Sequence, residues 1–218
     1  MFESKLFHPS SKPTGHGITI GTPRLYDLSA PVFFLGTRRP SYRALMEAAG
    51  VKAGDQTLDI GCGPGYFVRM LADRVGAAGA AVGLDAAPEM VEYARRKARR
   101  LPNCRFESGP AEALPFPDGS FDVVLSTLVM HHLPMELRLR AVGEMKRVLR
   151  VGGTVLLADF AIPRQGAWHI LAAVTGHASG QMIQRVTPLE SLVAETGFNE
   201  LRSGDMPPWL HYVRATKP

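Results

Sequence analysis

Two cysteines in 218 residues, Cys62 and Cys104, are too few for a disulfide framework or a cysteine-based metal set. No apolar run approaches the roughly 18 to 20 residues of a membrane span. The opening stretch MFESKLFHPSSKP is broken by Glu3, Lys5, His8 and Pro9, so it carries no apolar signal-peptide core. Aromatic residues make up 8% of the chain, and none alternates with the cations of ARRKARR (Arg95, Arg96, Lys97, Arg99, Arg100). Without stacking platforms, that run reads as a solvated helix end set against the helix dipole, despite a formal net charge of +5. These absences point to a cytoplasmic protein of a reducing compartment, with no nucleic-acid partner and at most peripheral membrane contact. No internal repeat or long linker is visible, and 45% hydrophobic residues suit one compact domain.

What is present is an alternation. Residues 1–25, rich in Ser, Pro, Gly and His, read as irregular. SYRALMEAAG (41–50) reads as a helix closed by Gly50. Short strands are expected at 57–60, 80–85, 104–108, 121–126 and 153–160. Helices are expected at 66–76, 88–101, with Pro88 in the first turn, and 135–150. A last helix over 187–197 would carry a capping box from Thr187 to Glu190, before a closing strand pair at 199–203 and 210–216. Strands alternating with helices imply right-handed βαβ crossovers. The fold class is therefore α/β: a doubly wound, Rossmann-like, seven-stranded, mainly parallel sheet with helices on both faces and an antiparallel last strand. Ligands on such sheets bind beyond the carboxyl ends of the strands.

The first core strand ends in LDIGCGPGYF, with glycines at 61, 63 and 65. Glycine permits positive φ and close approach of a ligand to the backbone. A strand, a glycine loop and a helix together make a nucleotide-binding entrance, shared by NAD, FAD and S-adenosylmethionine sites. Asp85 closes the next strand, twenty residues past Gly65, where a carboxylate can accept bonds from both ribose hydroxyls of an adenosine. The spacing Gly-x-Gly-x-Gly is not the dinucleotide Gly-x-Gly-x-x-Gly, and Tyr66 stands where its third glycine would be. Asp59 precedes the loop; it would repel a pyrophosphate and welcome the ammonium of a methionine moiety. No Gly-Lys-Ser/Thr follows, which excludes a P-loop.

LDIGCGPGYF, VGLDAAPEMVEYAR, AEALPFPDGSFDVVLSTLVMHHL and EMKRVLRVGGTVLLADF resemble, in order and spacing, the successive motifs of the class I S-adenosylmethionine-dependent methyltransferases. The likeness covers about residues 50–160 and is greatest to the branch of ubiquinone/menaquinone-biosynthesis and other small-molecule methyltransferases. It implies S-adenosylmethionine as cofactor, with S-adenosylhomocysteine as product. By that resemblance Asp59, Gly61, Cys62, Gly63 and Gly65 line the methionine end, and Asp85 holds the ribose. Ala86 and Met90 lie along the adenine, Ala111 and Glu112 at its edge, and Ser126, Thr127 and Leu128 behind the sulfonium. The chain departs from the family at Pro110, where an Asp usually meets the adenine amino group; proline offers neither side-chain acceptor nor N–H.

The resemblance also divides the 218 residues into an N-terminal lid (1–50), in which Tyr26 would close over the cofactor, and a cofactor-binding core (51–160). An apolar cap insertion (161–186) over the acceptor and a closing helix and strand pair (187–218) complete it. Methyl transfer needs a base only where the nucleophile must lose a proton, and His131 and His132 are the candidates. His169 and His177, eight apart, lack a third ligand, and no metal site is expected. The acceptor implied is a small apolar or aromatic molecule. A nicotinamide oxidoreductase and a non-catalytic S-adenosylmethionine-binding module are the competing readings; a monomer and a homodimer remain equally open.

Overall fold

The computed structural model describes residues 11–14, 17–20, 22–160, 188–207 and 210–218. Its centre is a seven-stranded sheet of β3 (Gln56–Ile60), β4 (Ala80–Asp85), β5 (Cys104–Ser108), β6 (Phe121–Thr127), β7 (Leu149–Phe160), β8 (Asn199–Met206) and β9 (Leu210–Thr216), in spatial order 5-4-3-6-7-9-8. β3 pairs in parallel with both β4 and β6, so the strand order reverses between them. β9 alone runs against its neighbours, antiparallel to β7 and to β8. The expected fold class is the one observed.

Two apolar layers cover the sheet. One packs Leu45 and Met46 of α2 (Arg38–Ala49), Phe67 and Leu71 of α3 (Tyr66–Val75) and Val91 and Ala94 of α4 (Pro88–Lys97). The other packs Val142 and Met145 of α5 (Met135–Val148) and Leu192 and Val193 of α6 (Leu189–Glu195). Strands buried on both faces read as continuous apolar runs, which is why VVL in β6 and VLL in β7 do not alternate.

Element boundaries correct several expectations. A hairpin of β1 (Ser11–Thr14) and β2 (Gly17–Ile20) and then α1 (Pro23–Phe33) replace the irregular stretch expected before residue 25. Four-residue strands are too short to show alternation among Pro and Gly. α4 ends at Lys97, so Arg99 and Arg100 follow the helix instead of closing it. β7 begins at Leu149, four residues before the expected start, with an irregular register against β6 between Phe121 and Val123. α6 starts after Pro188, and its expected cap Thr187 lies outside the described residues, as do the cap insertion 161–186, His169 and His177. No described helix is long and apolar enough to cross a membrane.

Candidate cofactor and acceptor site

The glycine loop leaves β3 at the switch point of strand order and turns into α3. Gly61, Gly63 and Gly65 all have positive φ, at 71°, 51° and 71°. A Cβ at Gly65 would stand 2.6 Å from the Phe106 ring, and one at Gly61 would overlap Val129. At Gly63 a Cβ would meet nothing within 4 Å. Two glycines are therefore required by packing, while the middle one borders open space, as a ligand-facing glycine would.

Asp85 ties this loop to the next. Its Oδ2 accepts from Gly63 N–H at 2.8 Å and its Oδ1 from Ala87 N–H at 2.9 Å. Burial pushes the Asp85 carboxyl up, and those two backbone donors pull it back only in part. Each oxygen keeps a lone-pair direction for a ribose hydroxyl. Asp59, on β3, is 3% exposed. Burial first, and then the nearby Asp85 charge, hold its carboxyl well above the ordinary value. A buried acid with a like charge beside it keeps its proton or takes a cation as partner. Tyr26 of α1 belongs to the same cluster: burial raises its phenol, with Arg38 opposing and Asp85 and Asp59 adding to the rise.

The other expected cofactor residues divide by what their side chains touch. Cys62 turns inward, and its sulfur would lie 2.8 Å from a Cβ on Gly83, so only its backbone lines the loop. Burial first, and then Asp85 and Asp59, push its thiol well up. Met90 is buried on α4, while Ala86 is exposed beside Asp85. Ser126 donates from its hydroxyl to Ile60 C=O at 3.3 Å, facing β3. The Thr127 hydroxyl is buried with no hydrogen-bond partner among the described residues. Leu128 holds φ at 61°, a left-handed conformation rare for leucine, and its N–H donates to Ala158 C=O at 2.8 Å. Such strain, of order 1–3 kcal/mol, clusters where a site dictates the backbone. Ala111 and Glu112 are both buried in the loop after β5. That loop is pinned by Arg147, which donates to Leu114 C=O and Phe116 C=O at 2.9 and 2.8 Å, while Glu144 accepts from Leu114 N–H at 2.8 Å.

His131 and His132 form a 3-10 turn after β6, with ring centroids 4.0 Å apart. His131 meets a partner absent from the sequence reading, Asp159 near the end of β7. Its Nδ1 lies 2.7 Å from Asp159 Oδ1, and its backbone N–H donates to Asp159 Oδ2 at 3.0 Å. Phe160 N–H donates to Oδ1 at 2.8 Å, and the Phe160 ring is 4.9 Å from that of His131. Burial alone would raise the Asp159 carboxyl; the His131 charge and these hydrogen bonds outweigh it and hold it below the ordinary value. Only pairing β6 with β7, Thr127 opposite Ala158, brings the two residues together. A second cluster was equally hidden: His211 bridges Asp205 at 2.6 Å and Glu190 at 2.8 Å. A surface hollow of about 640 Å³ lined by Ala72, Asp73, Asn103 and Arg105 carries none of these residues.

Comparison with known proteins matches this geometry. The family described as "Methyltransferase domain" matches residues 57–153. A demethylmenaquinone methyltransferase of Thermus thermophilus is 36% identical over 178 residues, 81% of this chain and 76% of the relative. A ubiquinone/menaquinone biosynthesis C-methyltransferase of Geobacter sp. is 31% identical over 141 residues, 63% of this chain and 59% of that one. A crystal structure of an S-adenosylmethionine-dependent methyltransferase from Aquifex aeolicus has the same fold, with TM-score 0.70 over 90% of this chain and 99% of that one at 21% identity. The chain belongs to the class I S-adenosylmethionine-dependent methyltransferases. Within them it is similar to the ubiquinone/menaquinone-biosynthesis branch. It spans from about a third to three quarters of the length of the curated relatives it matches, 34% of a Streptomyces fradiae transposon protein and 76% of the Thermus enzyme. The residues fit the family's cofactor: open space at Gly63, a buried acid at Asp59 and two oriented oxygens at Asp85.

Proposed function

We propose that the chain transfers a methyl group from S-adenosylmethionine to a small acceptor of apolar or aromatic character. The observation that carries this reading is a pair of carboxylates, Asp59 buried and Asp85 half-buried, around an open glycine. Asp59 answers an ammonium, Asp85 answers a diol, and Gly63 leaves room for the bridge between them. When bound, the sulfonium supplies an electrophilic methyl carbon; alignment and exclusion of water then provide most of the rate. In this reading Asp59, Gly61, Gly63, Gly65 and the Cys62 backbone hold the amino-acid end, Asp85 the ribose, and Ala86, Met90, Ala111 and Glu112 the adenine. Thr127 and Leu128 border the reacting centre more directly than Ser126, whose hydroxyl is committed to β3. Tyr26 covers the carboxylate pair from the N-terminal lid.

The names of the similar enzymes make a quinone-like ring the leading acceptor. The test is calorimetric titration with S-adenosylmethionine, S-adenosylhomocysteine and NAD. Micromolar binding of both sulfur compounds and none of NAD is expected. Silence from both sulfur compounds would remove the proposal.

A further inference from the structure

We infer that the C-terminal end of α4 and the exposed leucines of α1 form one docking surface for an anionic lipid bilayer. The cations come first. Arg95, Arg96 and Lys97 end α4, Arg99 and Arg100 follow it, and all five are exposed. Compensation of the helix dipole accounts for cations in the last turn only, because the effect falls off within that turn. Arg95 and Arg96 have acidic neighbours, Glu107 at 3.5 Å and Glu92 at 3.7 Å, and Lys97 meets Asp27 at 4.0 Å. Among the described residues no carboxylate pairs with Arg99 or Arg100. Arg96, Lys97, Arg99 and Arg100 line a surface hollow of about 420 Å³ by themselves. Four cations around one hollow repel one another, and an anionic partner relieves that repulsion.

The neighbouring helix supplies the apolar half. Leu28 of α1 is 77% exposed and Leu25, one turn away, 48%. Leucines at that spacing ordinarily face the core of an amphipathic helix; here the two stand in solvent together. α1 borders α4 through Asp27, which accepts from the Tyr93 hydroxyl at 3.3 Å and meets Lys97. Asp27 lies between the two leucines in sequence, so leucines and cations share one stretch of surface. Arg24, also exposed, precedes Leu25. This composition selects the partner. Guanidinium and ammonium groups reach lipid phosphates while leucines enter the boundary between headgroups and acyl chains. A nucleic acid would leave the leucines in water. It would also find no stacking platform, because the run has no aromatic residue and the nearby Tyr93 is buried. In the methyltransferase reading α1 carries Tyr26 over the carboxylate pair, so docking sets the entrance of the site against lipid, where an apolar acceptor dissolves. That consequence rests on the reading above; the docking itself does not.

The test is co-flotation of the full chain with two kinds of vesicle, phosphatidylcholine alone and phosphatidylcholine with about a third phosphatidylglycerol. Binding to the anionic vesicles only is expected, with sharp weakening at about 0.5 M NaCl. Each cation near a charged bilayer contributes roughly fivefold, so Arg99→Gln combined with Arg100→Gln should weaken partitioning about 25-fold. Leu25→Ala combined with Leu28→Ala should weaken it about tenfold at unchanged charge. Arg202 is an exposed cation on β8, at the opposite edge of the sheet from β5, against which α4 packs. Arg202→Gln should change partitioning by less than about twofold. Equal binding to both kinds of vesicle overturns the inference, and that comparison uses the wild type alone. Loss in Arg202→Gln equal to that in the arginine pair, or full binding by the leucine pair, also overturns it. So does tighter binding to a single-stranded oligonucleotide than to anionic vesicles, which would make the surface a nucleic-acid one. Flotation is read without cofactor, so its outcome is separate from the titration that tests methyl transfer.

Discussion

Replacing Asp59 by Asn should make the empty protein more stable and the cofactor complex weaker. Asp59 is 3% exposed, and burial and the Asp85 charge both disfavour its ionised form, so its folded-state value lies well above the ordinary 3.8. For a group raised on folding, the folded state binds the extra proton. Its favourable contribution is complete below the unfolded value near 3.8 and is lost as pH rises through the folded value. Above that window the empty protein carries a buried charge at a cost, which the isosteric amide removes. Each kcal/mol recovered raises Tm by about 2–4 °C for a chain of this size. The amide also discards a charge-assisted hydrogen bond to the cofactor ammonium, worth about 1.5–3 kcal/mol, or roughly 10- to 150-fold in affinity. Thermal melts at pH 4 and pH 8, spanning the rise from the unfolded value, and calorimetric titration with S-adenosylmethionine measure both effects. The Tm gain should be larger at pH 8. A variant that melts lower than wild type at pH 8, or binds the cofactor equally well, would falsify the ammonium assignment.

Four further outcomes are expected. Gly65→Ala must move Phe106 or Ala94 and hold alanine at φ 71°, so it should cost about 2–4 kcal/mol in denaturant unfolding. Gly63→Ala faces open space and should cost only about 1–2 kcal/mol of backbone strain while lowering cofactor affinity more than tenfold. Asp85→Ala strips acceptors from Gly63 N–H and Ala87 N–H; calorimetry should show affinity for S-adenosylmethionine weakened by about 1.5–3 kcal/mol. Burial lowers His211, but hydrogen bonds to Asp205 and Glu190 outweigh it and raise it above 6.5. Its clamp is therefore complete below that value and fades as pH rises past the folded one, so the Tm gap between wild type and His211→Gln should narrow from pH 6 to pH 9.

The central strands and the glycine loop were legible because their signals are local: an apolar run, three glycines at alternate positions and an acid at the end of the next strand. Boundaries drifted where the local signal fades, as at β7, whose opening LRVGG interrupts its apolar residues with an arginine and two glycines, and at the four-residue strands of the hairpin. His131 was found on the sequence, but Asp159 was not, because the two lie 28 residues apart and meet only through strand pairing. Glu190, Asp205 and His211 were missed for the same reason. The Cys62 and Ser126 side chains turn into the protein, and sequence has no means of telling which way a side chain turns.

The fastening of α1 has a mechanical consequence. Its far end is held by grease: Phe34, just beyond the helix, is 1% exposed and sits edge-on to Tyr42 at 5.5 Å. At its near end, beside Tyr26, Asp27 meets Arg38 at 3.1 Å, the Tyr93 hydroxyl at 3.3 Å and Lys97 at 4.0 Å. A rod glued at one end and pinned through Asp27 at the other resists tipping about Phe34. The Arg38–Asp27 pair is itself shielded, with side chains 9% and 19% exposed, so salt screens it little; it is loss of the Asp27 carboxylate, more than ionic strength, that would unpin the near end of α1.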